Sequence, residues 1–192
     1  MAATDGGTRG RLRQATSSAH ARVDACFPRG VEDAHAYRRY LRGMHALVSA
    51  LDAGLSAAPL GDTWREWRLP QRADLLREDL ADIGAAPLAS GPGLSIAHAA
   101  EAAGALYVVE GSAMGATQLL LDAQAMGWSG QRGARFLHAH GGDGAGARWM
   151  RYLRCLESAR FDLHAERAMI DAAARTFAYA EHEFLRAAQP AG

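Results

Sequence analysis

The chain contains no lysine; all 21 of its basic residues are arginine. That excludes Schiff-base chemistry on a lysine and the phosphate-binding lysine of a P-loop. Cysteine is scarce, with Cys26 and Cys155 the only two. This is too few for a disulfide-stapled fold and fits a reducing, cytoplasmic setting. Val, Ile and Thr together number 14 of 192 residues, so strand formers are few and no substantial sheet is expected. No stretch of about eighteen apolar residues runs free of charge, which argues against a membrane span. The amino-terminal MAATDGGTRG lacks the basic and then apolar order of a secretory signal. Net charge is missing too, with 21 basic residues against 21 acidic, so no global field draws a nucleic-acid backbone to the surface.

What remains is rich in helix formers, and its length suits one domain. We expect a single all-α domain over residues 1–192, with residues 1–7 a disordered tail. Leu12, Thr16, His20, Val23 and Phe27 recur at helical spacing and predict a first helix from Thr8 to about Phe27, ended by Pro28-Arg29-Gly30. Tyr37, Tyr40, Leu41, Met44, Leu47, Val48 and Leu51 predict a second, from Asp33 to about Ala57. A third is expected from about Gln71 to Ile83. Ala89 to Gly93 reads as a loop, and Ser95 as the N-cap of a long fourth helix ending near Gly127-Trp128. The glycine-rich stretch Gln131 to Gly146 is expected to be irregular. Helices from about Ala147 to Ala159 and from about His164 to Ala188 complete the chain.

Two segments could carry chemistry. In the first helix Arg13, Thr16, His20 and Asp24 fall at spacings that put them on one face. A neutral imidazole there could ligate a metal through one nitrogen while Asp24, one turn on, holds the other. An ordinary surface histidine with local ion pairs has the same spacing. In the fourth helix Gly104, Gly111 and Gly115 form a nearly bare face. Each glycine costs about 1 kcal/mol relative to alanine inside a helix, so three in register imply a close approach by something. A flat ligand and a second helix both qualify. Glu101, Glu110 and Asp122 on the same segment make a lipid-facing version a poor fit.

The stretch Leu12-Arg13-Gln14-Ala15-Thr16-Ser17-Ser18-Ala19-His20-Ala21-Arg22-Val23-Asp24 resembles the proximal-helix pattern of bacterial haem oxygenases, LR..T...H...(D/E). Tyr107-Val108-Val109-Glu110-Gly111-Ser112-Ala113-Met114-Gly115 resembles their distal YV.EGS.(L/M)G helix, and Ala174-Arg175-Thr176-Phe177 with Phe184-Leu185 is similar to their last helix. The likeness is closest to the biliverdin-producing type, some members of which serve bacteriophytochromes.

What the resemblance implies is haem b, substrate and cofactor at once, held between the first helix and a kinked fourth helix. His20 would be the axial iron ligand, with Asp24 as its partner. Gly111, Ser112 and Gly115 would form the distal wall where O2 reacts. Arg13, with Arg151 preferred over Arg154, would meet the propionates, and Phe177 would pack at the haem edge or only in the core. The products would be biliverdin, CO and ferrous iron, with electrons from an external donor such as ferredoxin or a reductase. Ser112 stands where animal members carry Asp, so the distal water network must be organised differently. Ala116 stands where some members carry Gly, which would narrow the pocket.

Other readings stay open. A haem-binding or haem-transfer protein without turnover would keep the same pocket, and a thiaminase-like hydrolase would instead depend on Cys26 or Cys155. His138 and His140 sit in the glycine-rich stretch without an accompanying acidic or cysteine ligand pattern, so a mobile loop is expected there.

Overall fold

The computed structural model describes residues 7–68, 70–89, 91 and 93–189. Among these are α1 (Thr8–Ala25), α2 (Ala34–Ala57), α3 (Asp62–Arg65), α4 (Pro70–Asp82), α5 (Ala99–Ala125), α6 (Arg135–Gly141), α7 (Ala145–Ser158) and α8 (Leu163–Arg186). The described residues hold no strand, only isolated bridges at Ser129. The all-helical expectation holds. Residues 1–6 of the expected tail, and Ser90 and Pro92 of the expected loop, lie outside the described residues, while Gly7 caps α1.

α2 follows its apolar period closely: Tyr37, Tyr40, Leu41, Met44, Leu47, Val48 and Leu51 are all buried. The Asp33 carboxylate accepts from Ala36 N at 2.8 Å and fixes the helix start. Asp162 does the same for α8 through Ala165 N. α8 is the hub, packing against α1, α2 and α5. α5 runs through the middle of the molecule, buried along most of its first half.

Four expectations need correction. α5 begins after His98, not at Ser95. α3 is an additional short turn that buries Trp64. The stretch Gln131 to Gly146 is largely ordered: it contains α6, whose first turn is held by the buried carboxylate of Asp79. That group accepts from Arg135 N and Phe136 N, both at 2.9 Å. Asp82 accepts from Gly133 N, and Tyr37 Oη donates to Gly133 O, so α4 and α2 pin the loop from two sides. Thr16, one turn before His20, is not open to a ligand: it is 2% exposed and its hydroxyl donates to Leu12 O.

The bare face of α5 also divides. At Gly104 a Cβ would run into the Met169 carbonyl of α8, so this glycine serves helix packing. Gly104→Ala is therefore expected to lower stability by about 1–3 kcal/mol despite the better helix propensity of alanine, because the obstruction is backbone and cannot rotate away. Chemical denaturation would show it as a lower midpoint, and an unchanged midpoint would mean that α5 and α8 part at no cost.

Candidate functional site

α1 and α5 both lean on α8, and a cavity of about 580 Å3 opens where their faces meet. Its wall includes His20 and Asp24 from α1, Gly111, Ser112 and Gly115 from α5, and Phe177 from α8. Six of the eight sequence-predicted site residues are thus brought together. Most of the remaining wall is apolar, including Val23, Met44, Leu47, Val108, Leu119 and Phe184.

His20 is exposed, with 62% of its side chain accessible. Its Nδ1 lies 2.8 Å from Asp24 Oδ2, one helical turn on, and its ring meets Phe177 edge-on with centroids 5.6 Å apart. A carboxylate on Nδ1 puts the proton there and leaves the Nε2 lone pair as the ligand atom. On the α5 side, a Cβ at Gly115 would meet nothing within 4 Å, and one at Gly111 would meet only Trp149 at 3.6 Å. Gly115 therefore presents bare backbone to open space, and Gly111 presents it beside Trp149. This set fits a haem: one imidazole nitrogen for iron, apolar walls for a flat ring, and a wall without side chains.

The two predicted propionate anchors fall elsewhere. Arg151 lies over the Trp67 ring, 4.6 Å from its centroid, beside Glu66 at 3.7 Å, and is not part of the cavity wall. Arg13 is exposed on α1 and outside the lining, although its charge is felt at the Tyr107 hydroxyl. Arg154 is also exposed and outside it. Arg9, one helical turn before Arg13, is the arginine in the wall. Sequence reasoning missed it because no local pattern separates Arg9 from Arg13. Ala116 does not narrow the cavity either; it is fully buried against Gly141 of α6.

Behind α5 lies a polar layer that the sequence did not suggest. Glu110, 1% exposed, is paired with Arg148 of α7 at 2.7 and 2.8 Å and with Arg72 of α4 at 3.1 Å. Burial lowers the Arg72 pKa, and Glu110 works against that shift. The next residue but one, Ser112, contacts His140 Nε2 at 3.0 Å and donates to Val109 O at 2.8 Å. His140 is 2% exposed, and its Nδ1 is buried without a hydrogen-bond partner. The proton therefore belongs on Nε2, donated to Ser112 Oγ, since a stranded lone pair costs less than a stranded N–H. His140 is part of a helix packed on α5, not of a mobile loop.

Burial, helped by Arg72 and Arg148, brings the His140 pKa down to about 3. Between that value and the ordinary histidine pKa near 6.5, the unfolded chain binds a proton that the folded one refuses, so stability falls as pH falls. The His140 contribution is expected to be about 1.4 kcal/mol per pH unit across that window. Denaturant midpoints of wild type and His140→Gln between pH 7 and 4 measure it; parallel profiles would refute it.

Burial raises the Cys26 thiol pKa, which works against a nucleophilic role.

The fold and the cavity define an all-helical protein with a mostly apolar cavity whose wall carries one histidine, His20. Residues 92–185, from just before α5 to the end of α8, match the family model described as heme oxygenase. A similar solved structure is the NO- and CO-bound heme oxygenase of Neisseria meningitidis, at 25% identity and a TM-score of 0.76, covering 97% of this chain and 94% of that one. Another is heme oxygenase-1 of the cyanobacterium Synechocystis in complex with heme, at 18% identity and a TM-score of 0.70, covering 94% and 91%. At that identity the second likeness speaks to the fold alone. No curated protein sequence matches the chain. The family match and the Neisseria meningitidis likeness are both to haem oxygenases, and the two structural likenesses agree on the fold. No described helix is long and apolar enough to cross a membrane.

Proposed function

We propose that this chain binds haem b between α1 and α5, with His20 as the axial ligand, and opens its ring to biliverdin. The observation that carries this is the meeting of the His20–Asp24 pair with the bare backbone of Gly111 and Gly115 at one cavity. When bound, haem supplies the iron that activates O2 with electrons from an external donor, and its own ring is cleaved to biliverdin, CO and ferrous iron.

The protein's part is positional. His20 fixes the ring along α1, and Asp24 holds the imidazole in one tautomer and orientation. Phe177, edge-on to His20, limits how that imidazole can turn. Gly111 and Gly115 let the distal face approach backbone, and Ser112, held by His140, orders polar contacts there. Arg9 is the candidate partner for a propionate. Ring rotation selects which meso carbon reacts, so these contacts set the product isomer. We place the reaction in the cytoplasm, with ferredoxin or a reductase as donor and a bacteriophytochrome as the receiver of biliverdin.

Ferric haem added to the pure protein should give a Soret band at one equivalent, and reductant with O2 should replace it by biliverdin, identified by chromatography. Haem recovered intact would select a binding or transfer protein instead. Absence of any stoichiometric Soret band would overturn the haem reading itself.

A further inference from the structure

A second cavity, of about 460 Å3, lies between the first half of α2, the turn after α4 and the end of α8. It shares no lining residue with the cavity at His20. All of its titratable lining groups are basic: His35, Arg38, Arg39 and Arg42. These occupy positions i, i+3, i+4 and i+7 of α2 and so form one stripe along the helix. The rest of the lining is Gly84, Ala85 and Ala86 with Ala187, Ala188 and Gln189, which offers no carboxylate.

No carboxylate lines this cavity, and the Asp33 carboxylate at the start of α2 acts on the His35 end of the stripe. Like charges at this spacing repel, and the positive end of the α2 dipole lies near the same stripe. The carbonyl end of α8 supplies only a partial counter-charge. The nearby carboxylate of Glu181 is already paired with Arg22 at 2.9 Å.

The guanidinium groups of Arg39 and Arg42 are held in place by neutral groups. Arg39 donates to Cys26 O at 3.2 Å and lies over the Phe27 ring, 5.1 Å from its centroid, while its buried Nε–H has no partner. Arg42 donates Nε–H to Ala86 O at 3.1 Å. Cations oriented this way along a concave wall, beside small residues that leave room, are suited to a multiply charged anion.

We propose that this pocket binds a small phosphate-type polyanion, with Arg38, Arg39 and Arg42 as its donors. The proposal is independent of the haem reading. Isothermal titration of the full chain with pyrophosphate at fixed ionic strength is expected to show one site, and pyrophosphate should raise the thermal midpoint. Arg39→Gln combined with Arg42→Gln should weaken binding at least tenfold. Arg38→Gln, which alters only an exposed side chain, should weaken it severalfold in a protein that still folds. His20→Ala should bind pyrophosphate as wild type does, which separates this site from the haem cavity. Vesicles of phosphatidylcholine containing phosphatidic acid test the second source of the same chemistry, and sedimentation with them that depends on Arg38 would assign the donors to a lipid headgroup. Heat equal to that of chloride at the same ionic strength, or binding unaltered in all the arginine variants, would overturn the proposal.

Discussion

Glu110→Ala is expected to cost about 3–5 kcal/mol of folding stability, a large part of what a domain of this size possesses. The loss comes less from the ion pairs than from the cations left behind. Arg72 has only 13% of its side chain exposed and, among the described residues, no other carboxylate paired with it. Arg148 keeps 32% of its side chain in contact with solvent and rests on Trp67 at 4.7 Å, so it suffers less, which favours the lower end of the range. Glu110→Gln should fall between wild type and Glu110→Ala, because it retains acceptor oxygen without charge. Replacing Arg72, Glu110 and Arg148 together by Met, Leu and Met should recover most of the stability, since no buried charge then remains. Urea midpoints for the set decide the matter. A Glu110→Ala protein as stable as wild type would show that water reaches both guanidinium groups.

The same cluster bears on the cavity. Glu110 ties α5 to α4 and α7 at the residue just before Gly111, and His140 ties it to α6 through Ser112. The Glu110 tie lies outside the cavity wall and the Ser112–His140 tie lies at it, and together they set how far the helix is rotated. Gly111 and Gly115 thus share the cavity wall with Ser112 and Met114.

How much of this was legible in the sequence depended on whether the signal was local. The apolar period of α2 and its start at Asp33 are local, and the His20–Asp24 pair is an i, i+4 relation that any helix enforces. α6 was not legible, because its start depends on Asp79, 56 residues from the Arg135 amide it accepts from. The burial of Glu110 was not legible either: an acidic residue on an apolar helix reads as exposed until partners from α4 and α7 are brought to it. The three glycines of α5 had identical local signals but different neighbours, Met169 for Gly104 and open space for Gly115. The expected propionate anchors lie outside the cavity wall for a related reason. A one-turn shift along α1 separates Arg9 from Arg13, and Arg151 is drawn to Trp67 and Glu66 instead.

His20→Ala is expected to abolish the histidine-dependent Soret band and biliverdin formation while leaving the fold intact. With 62% of its side chain exposed, His20 contributes little to the core, so the denaturation midpoint should stay within about 0.5 kcal/mol of wild type. That separation is the test, because a histidine of purely structural value would lose stability first. Added imidazole should occupy the space left by the side chain and restore a nitrogen-ligated spectrum. Asp24→Asn probes the partner: it keeps the size of the side chain but weakens the hold on the Nδ1 proton, and a 10- to 100-fold loss in haem affinity or turnover is expected. Phe177→Ala should let the ring turn, broadening the distribution of biliverdin isomers more than it lowers affinity. If His20→Ala kept a wild-type spectrum and rate, another residue of the cavity would have to hold the iron, and neither His138 nor His140 lines it.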